Sequence, residues 1–441
     1  MTGWGPKFDQ HRAHLSAIRA AALAAVDPAA AVRAHLAPAD WEGAANVYLV
    51  GAGKAGVPMA LAAAALLGPR LTAGVVVAPR APGPDIAVPP TLSFVEGGHP
   101  QPTTGSLAGG RAVAALLTRA APGDLVVVVI SGGGSALLEL PRPGVSLDDL
   151  RQTNRALLRS GAAIHEINLI RAQLSQLKGG GLARLAHPAR TLALILSDVV
   201  GNPLASIASG PTVVDAPPEA TAALAVVERY GLRDQLPAGA LYYLTHGTGP
   251  LPGEAPRVEN RLVGSNRQAG EAAAAAAREL GFAAEWLGDD WQGEARDLGR
   301  RLAELACRAP GPSPLRRRAA PLAADQRPRC LVAGGESTVT VRGAGRGGRN
   351  QEAALGAARV IDSLPNIAIA AIATDGVDGP TDAAGALVTG DTLRRARALG
   401  LDVARALAEN DSYPCLEALG ALLFTGPTGT NVGDLLVGLV Y

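Results

Sequence analysis

Several things are scarce in this chain, and each shortage removes a class of function. Aromatic residues make up 3% of the 441 positions, and the formal net charge is +1. A near-neutral chain with few rings offers no case for nucleic-acid binding or for an anionic membrane surface. The three cysteines, Cys307, Cys330 and Cys415, stand far apart with no C-x-x-C pair. They argue against a disulfide framework or a thiolate zinc site and are expected to be buried or neutral thiols. No apolar run approaches the ~18 residues of a membrane span. The opening MTGWGPKFDQHRAH has no apolar signal core. The expected compartment is the cytoplasm. Charged residues are 18% and hydrophobic ones 48%, which excludes a disordered chain.

Glycine and proline are in excess, at 54 and 33 residues. Together they are about a fifth of the chain, against a usual ~12%. No collagen-like triplet accompanies them, so they mark turns and backbone-lined loops. The length suits roughly two or three domains. Short strands are expected at 46–50, 74–78, 125–130 and 191–196. Helical patterns alternate with them at 58–67, 105–120, 147–160 and 218–230, after two short helices within 9–36. The strands lack a polar face, as in a parallel sheet covered on both sides. Turn-rich text at 236–256 sets a boundary, giving an N-terminal domain 1–245 and a C-terminal domain 246–441. In the second, strands are expected at 262–264, 283–287, 330–333 and 367–373, with a hairpin strand at 337–342. Helices are expected at 268–280, 294–308, 351–361, 389–398 and 403–409. The Pro/Arg/Ala-rich stretch 310–329 reads as a mobile loop. The predicted class is α/β with two α/β domains, the N-terminal one Rossmann-like with a mainly parallel sheet.

Polar glycine loops follow several of these strands. Gly51-Ala52-Gly53-Lys54-Ala55-Gly56 matches G-x-G-x-x-G and carries a lysine inside the turn. Such a turn brings backbone amides close to a phosphate, although a packing turn with a solvated lysine has the same form. A dinucleotide site also wants an acid near the end of the next strand, where this chain has Arg80. Ser131-Gly132-Gly133-Gly134-Ser135 follows the strand 125–130. Its two serines offer donors to a phosphate or a substrate, unless the loop is only a tight turn. Lys178 heads a further glycine run, and Asp198 and Asn202 follow the strand at 191–196. Asp198 suits Mg²⁺ or a hydroxyl proton, or else a helix cap. His99, in a Pro/Gly loop, reads as structural ahead of catalytic.

The second half repeats the theme. Glu336 follows the run 330–333, and Gly343 to Glu352 form a glycine loop with Arg346, Arg349 and Asn350 that opens a helix. Arginine forks bind phosphate or carboxylate, and a helix N-terminus adds amide donors. Asp375, Asp378 and Asp382 crowd together after an apolar strand, as Mg²⁺ ligands or as solvent-facing turns. Thr425 to Asp434 form one more polar glycine loop. There is no Walker P-loop, no G-x-S-x-G elbow and no HExxH.

Taken together and in order, these segments resemble the class II glycerate 2-kinases, whose C-terminal part is the MOFRL domain. The matching segments are GAGKAG (51–56), EGGHP (96–100), SGGGSALL (131–138), LSQLKGG (174–180) and LSDVVGNPLASIASGPT (196–212). They continue with GGESTVTVRGAGRGGRNQE (334–352), ATDGVDGPTDAAGA (373–386) and TGPTGTNVGDL (425–435). The likeness spans nearly the whole chain; 310–329 carries none of it and looks like an insertion. The resemblance implies ATP-dependent phosphorylation of D-glycerate at its 2-hydroxyl, giving 2-phosphoglycerate, with Mg²⁺. It implies an active site in the cleft between two α/β domains, the MOFRL region lying at about 330–435. Lys54 and Arg349 correspond to residues treated as functional in such enzymes. Phosphoryl transfer needs positioning and neutralised charge, which two cations from two domains would supply. The remaining candidates are the ligand-binding set Gly51, Gly53, Ser131, Gly132, Gly133, Gly134, Ser135, Lys178, Asn202, Glu336, Arg346 and Asn350, with Asp198 or Asp375 for the metal.

Two other readings compete. GAGKAG with Arg80 suits an NADP-dependent hydroxypyruvate reductase, although the Asp-rich and Arg-rich loops have no task in hydride transfer. A non-catalytic nucleotide or sugar-phosphate binding module is the other, against which the number of polar loops argues. The sequence leaves oligomeric state open, a homo-oligomer included.

Overall fold

Leu125–Ile130 is six apolar residues in a row, all buried. Nothing in that run distinguishes one face from the other, so it must lie inside a sheet covered on both sides. The computed structural model places it there, and describes residues 6–214, 219–247, 255–308 and 327–441. The predicted helix at 218–230 begins at Ala220, its residue 218 lying outside the described residues, as do 310–326 of the supposed insertion.

Contacts divide the chain into two units. One comprises Pro28–Ser197 and Asn202–Gly264; the other comprises Met1–Asp27, Asp198–Gly201 and Ser265–Tyr441. The first unit holds six strands: β1 (Val47–Ala52), β2 (Leu71–Ala78), β3 (Leu92–Glu96), β4 (Leu125–Ile130), β5 (Arg190–Leu196) and β6 (Val258–Gly264). They lie in the order β3-β2-β1-β4-β5-β6, and every pair is parallel. This is the doubly wound order, and its direction of winding reverses between β1 and β4. The sequence reading assigns residues of β6 to the second domain, but β6 hydrogen-bonds beside β5 in the first sheet. A separate apolar cluster joins the helices Leu147–Ser160, Ile164–Leu174, Ala220–Arg229 and Ala238–His246 through Leu157, Ile170, Val227 and Leu244.

The second unit is built on a mixed sheet of β7 (Ala283–Trp286), β8 (Trp291–Glu294), β9 (Arg329–Thr338), β10 (Ile367–Ala373), β11 (Gly385–Thr389), β12 (Leu422–Leu423) and β13 (Asp434–Val440). The order is β12-β11-β10-β13-β9-β7, with β8 also paired to β9. Only β7 and β8 run parallel to β9; the other pairs are antiparallel. The hairpin expected at 337–342 is absent, because β9 runs unbroken through Gly334 and Gly335. Those glycines answer to crowding, not to a turn. A Cβ on Gly334 would lie 1.7 Å from Asn266 Oδ1, and one on Gly335 would lie 2.0 Å from the Trp291 carbonyl oxygen. Above this sheet the helices Ala295–Arg308 and Arg349–Ala358 pack backbone to backbone. A Cβ on Gly299 would meet the Ala353 carbonyl oxygen at 1.8 Å, and one on Gly356 would meet that of Arg296 at 2.3 Å. Residues Asn350 through Ala358 are all buried, which fixes the helix that carries Arg349.

Candidate active site

In a doubly wound sheet the ligand crevice opens at the carboxyl ends of the strands where winding reverses. Here those ends belong to β1 and β4, and they carry the two glycine loops. Lys54 N–H donates to the Gly132 carbonyl (2.8 Å), and Ser131 N–H donates to that of Ala52 (3.1 Å). Ser131 Oγ, fully buried, accepts the Ala55 amide at 2.9 Å. Gly53 has φ +146°, and a Cβ there would lie 2.0 Å from Ser131 Oγ, so only glycine lets the loops close on each other. At the neighbouring Gly133, a Cβ would meet the His99 ring at 2.9 Å and Lys54 Cγ at 3.4 Å. Half-buried Lys54 and exposed His99 therefore flank one glycine at the mouth of the crevice.

Other predicted ligand residues of this unit are committed to structure. Ser209 Oγ donates to Asn168 Oδ1 (2.9 Å), so the proton in its 2.8 Å contact with Ser135 comes from Ser135. The Ser135 hydroxyl proton is thus directed at Ser209, not at a ligand. Lys178 is 4% exposed, and its ammonium is paired with the Glu139 carboxylate, itself 2% exposed. Burial pushes the Lys178 pKa down against the pull of Glu139. A cavity of ≈ 10 Å³, room for about one water, lies among Gly51, Gly134, Lys178 and Ala208. Lys178 is thus committed to an internal ion pair. Asn202 is half-buried in the left-handed region, φ 53°, in the loop after β5.

In the second unit, the first turn of the helix Arg349–Ala358 is organised by two buried acids. Asp378 accepts the amides of Asn350 (3.0 Å) and Gln351 (2.9 Å). The helix N-terminus expected to receive an anionic ligand is therefore filled by a side chain of the protein. Burial, reinforced by nearby Asp434, pushes the Asp378 carboxyl up to about 6 against the pull of its amide donors and Arg349. Asp434 opens β13 and is fully buried. It takes Arg349 Nε at 3.0 and 2.7 Å, Asn350 Nδ2 at 2.9 Å, and the amide and hydroxyl of Ser337 at 3.1 and 2.9 Å. Burial disfavours the Arg349 charge, but the Asp434 carboxylate more than offsets it, and the guanidinium pKa is raised.

The arginine loop ahead of this helix is anchored. Asn410 Oδ1 accepts the amides of Arg342 (2.6 Å) and Gly343 (3.1 Å), and Asn410 Nδ2 donates to buried Glu352 (2.6 Å). Arg346 lies 4.0 Å over the Tyr413 ring and 3.6 Å from Asp382, with half its surface exposed. Glu336 is exposed on β9. Asp375 turns back to accept the Val377 amide (3.1 Å), and Thr428 Oγ1 donates to the Thr374 carbonyl (2.6 Å). Asn431 Nδ2 donates to Asp198 Oδ2 at 2.9 Å. Among the described residues no three His, Cys, Asp or Glu side chains gather to hold a metal. Asp198 and Asp375 are hard oxygen donors of the type Mg²⁺ accepts one or two at a time, the rest coming from phosphate and water.

Sequence reasoning missed the employment of Asp434 and Asp378. Both stand in the polar glycine loops, Asp378 there only as one of three possible metal ligands. The signal for Asp434 is an acid at the start of the final apolar segment, which must find cationic or amide partners when buried.

Two interlocked glycine turns at a winding reversal, one of them carrying a lysine, and an arginine backed by a buried carboxylate suit an α/β protein that handles small anionic molecules. Comparison with known proteins narrows this. The model of the domain of unknown function DUF4147 matches residues 14–245, and that of the MOFRL family matches 329–434. A D-glycerate 2-kinase of Thermotoga maritima is 40% identical over 398 residues, covering 90% of this chain and 91% of its own. A protein of Agrobacterium vitis, provisionally named a hydroxypyruvate reductase, is 43% identical over 424 residues, covering 95% of this chain and 92% of its own. The crystal structure of a Thermotoga maritima glycerate kinase superposes with a TM-score of 0.84 at 38% identity, covering 98% of this chain and 100% of that one. The chain belongs to the glycerate 2-kinase family that carries the MOFRL domain.

Proposed function

We propose that this protein transfers the γ-phosphoryl group of ATP to the 2-hydroxyl of D-glycerate, giving 2-phosphoglycerate and ADP, in the cytoplasm. The observation that carries the reading is the meeting of GAGK and SGGGS at the winding reversal of the first sheet, in a chain of this family. In the reaction the hydroxyl oxygen bonds to the γ-phosphorus, the bond to the β-phosphate oxygen breaks, and the hydroxyl proton is released. Little covalent chemistry falls to the protein; it orients the two substrates and neutralises charge. Lys54 is the cation of the glycine turns, and the amides of Gly132 and Gly133 are donors for phosphate oxygens, that of Gly134 being turned instead to the Ser131 carbonyl (3.3 Å). Arg349, held by Asp434, supplies a guanidinium for phosphate oxygens. Arg346 or exposed His99 answers the glycerate carboxylate. Asp198 and Asp375 are the carboxylates that would hold Mg²⁺, which would supply charge neutralisation to the transferring phosphoryl group, or that would orient the hydroxyl.

The Agrobacterium relative's name supports a second reading, reduction of hydroxypyruvate by NADPH. No acid ends β2, whose last residue is Ala78, and exposed Arg80 follows two positions on. A 2′-phosphate would suit that arginine. Two incubations separate the readings: D-glycerate with MgATP, and hydroxypyruvate with NADPH. ADP with 2-phosphoglycerate in equal amounts supports the kinase. NADPH oxidation without ADP formation in the first incubation replaces it with the reductase.

A further inference from the structure

We propose that Asp434 is a positioning residue: it holds Arg349 by Nε alone, so that the two η nitrogens form a fork for an anionic oxygen pair. The proposal rests on the kinase reading for the identity of that anion, the transferring phosphoryl group. Arginine has five N–H donors, one on Nε and four on the η nitrogens. The strongest arginine–carboxylate pairs meet fork to fork, through two parallel N–H bonds. Here the carboxylate instead takes Nε with both oxygens, at 3.0 and 2.7 Å. Among the described residues the η nitrogens donate to no protein group, although the side chain is only 29% exposed. The η nitrogens are not among the buried polar atoms left without a partner, so they stay reachable from solvent and open to an incoming anion.

Asp434 is itself held. Ser337 donates twice to Oδ2, and Asn350 Nδ2 donates to Oδ1. The ladder fixes its backbone, since Asp434 pairs with Gly335 on β9 and with Ala373 on β10. Asn350 is the neighbour of Arg349 in the first helical turn, so one carboxylate ties the helix start to two strands. A substrate anion then meets a guanidinium whose position is already set, and little ordering remains to oppose binding in the transition state.

The test is a cycle of wild type, Asp434→Asn, Arg349→Ala and the double variant, assayed with D-glycerate and MgATP. An asparagine sets an NH₂ against donors that now face a carboxylate, and so loosens the arginine. We expect Asp434→Asn to lower kcat at least tenfold with KM for both substrates within about threefold. We expect it to cost nothing further once Arg349 is alanine. Added guanidinium ion should restore part of the Arg349→Ala rate while Asp434 is present, and none in the double variant. A merely structural carboxylate would lower the melting temperature and leave kcat of the folded enzyme unchanged. That result, or independent additive losses in kcat, overturns the proposal. Should Asp434→Asn not fold, Ser337→Ala takes its place in the same cycle, with a smaller kcat loss expected only while Arg349 is present. If wild type makes no ADP, the kinase reading falls by itself. Calorimetric affinities of the four proteins for ATP then decide the positioning claim, with the same non-additivity expected and additivity overturning it.

Discussion

Replacing Lys178 with methionine separates two roles for one residue, because its environment assigns it to the fold while its place in a glycine loop suggests a ligand. The ammonium and the Glu139 carboxylate are 4% and 2% exposed and in contact. Glu139 Oε1 has no hydrogen-bond partner among the described residues, and the Arg171 guanidinium is the other charge that acts on the pair. Removing one member of such a pair strands the other, at ~3–5 kcal/mol; replacing both with apolar residues is often neutral. For a unit of this size that is a fall in melting temperature on the order of 10 °C. Lys178→Met should therefore melt far lower, and Lys178→Met with Glu139→Leu should recover most of the loss. Thermal melts of the four proteins at neutral pH, with steady-state kinetics on the folded fraction, test this. KM for either substrate should stay within about threefold. A stable Lys178→Met enzyme whose KM for ATP or glycerate rises tenfold or more would refute the argument and restore Lys178 as a ligand.

Three further outcomes follow from the site. Lys54→Ala and Arg349→Ala should each slow turnover by ~10²-fold or more, measured as ADP release, if each charge stabilises the transition state. Arg349→Lys should recover little of that loss, since one ammonium cannot occupy the Asp434 position and the fork position together; wild-type kcat in this variant would show that a point charge suffices. Asp378 has its pKa pushed from 3.8 to about 6. The folded state thus holds that proton more tightly than the unfolded one, and the stability this lends is greatest below about pH 4 and is lost by about pH 6. Relative to Asp378→Asn, wild type should lose up to ~3 kcal/mol across that interval in denaturant titrations, and parallel curves would remove the assignment.

Legibility in the sequence followed how much of each element's fate was local. The strands β4 and β10 are readable to the residue because each is an unbroken apolar run with turn residues at both ends. β3 was hidden in a Pro/Gly-rich stretch. It is an edge strand of five residues with only Leu92 buried, and so has no apolar run to announce it. The helix Ile164–Leu174 was missed because Glu166, Asn168 and Gln173 are polar yet buried, which defeats a pattern of alternating faces. The glycine loops were legible because glycine after a buried strand has few other causes. Their side-chain roles were not. Lys178 meets Glu139 across 39 positions, and Arg349 meets Asp434 across 85. Spacing in the chain carries no trace of such pairs.

The same distinction explains why the two cations cannot be judged alike from sequence. A lysine in a glycine turn gets its position from the backbone that carries it. The loop around Lys54 is fixed by its amide on Gly132 and by Ser131 on Ala55, all within two strand ends. An arginine at a helix start has a long stem and many rotamers, so its position must come from elsewhere. In this protein it comes from an acid on a strand that is last in the chain. Electrostatic catalysis depends on charge that needs no rearrangement when the transition state forms. On the proposed reaction, the glycine motif supplies that condition locally for Lys54, and the folded sheet supplies it for Arg349 through the Asp434 carboxylate.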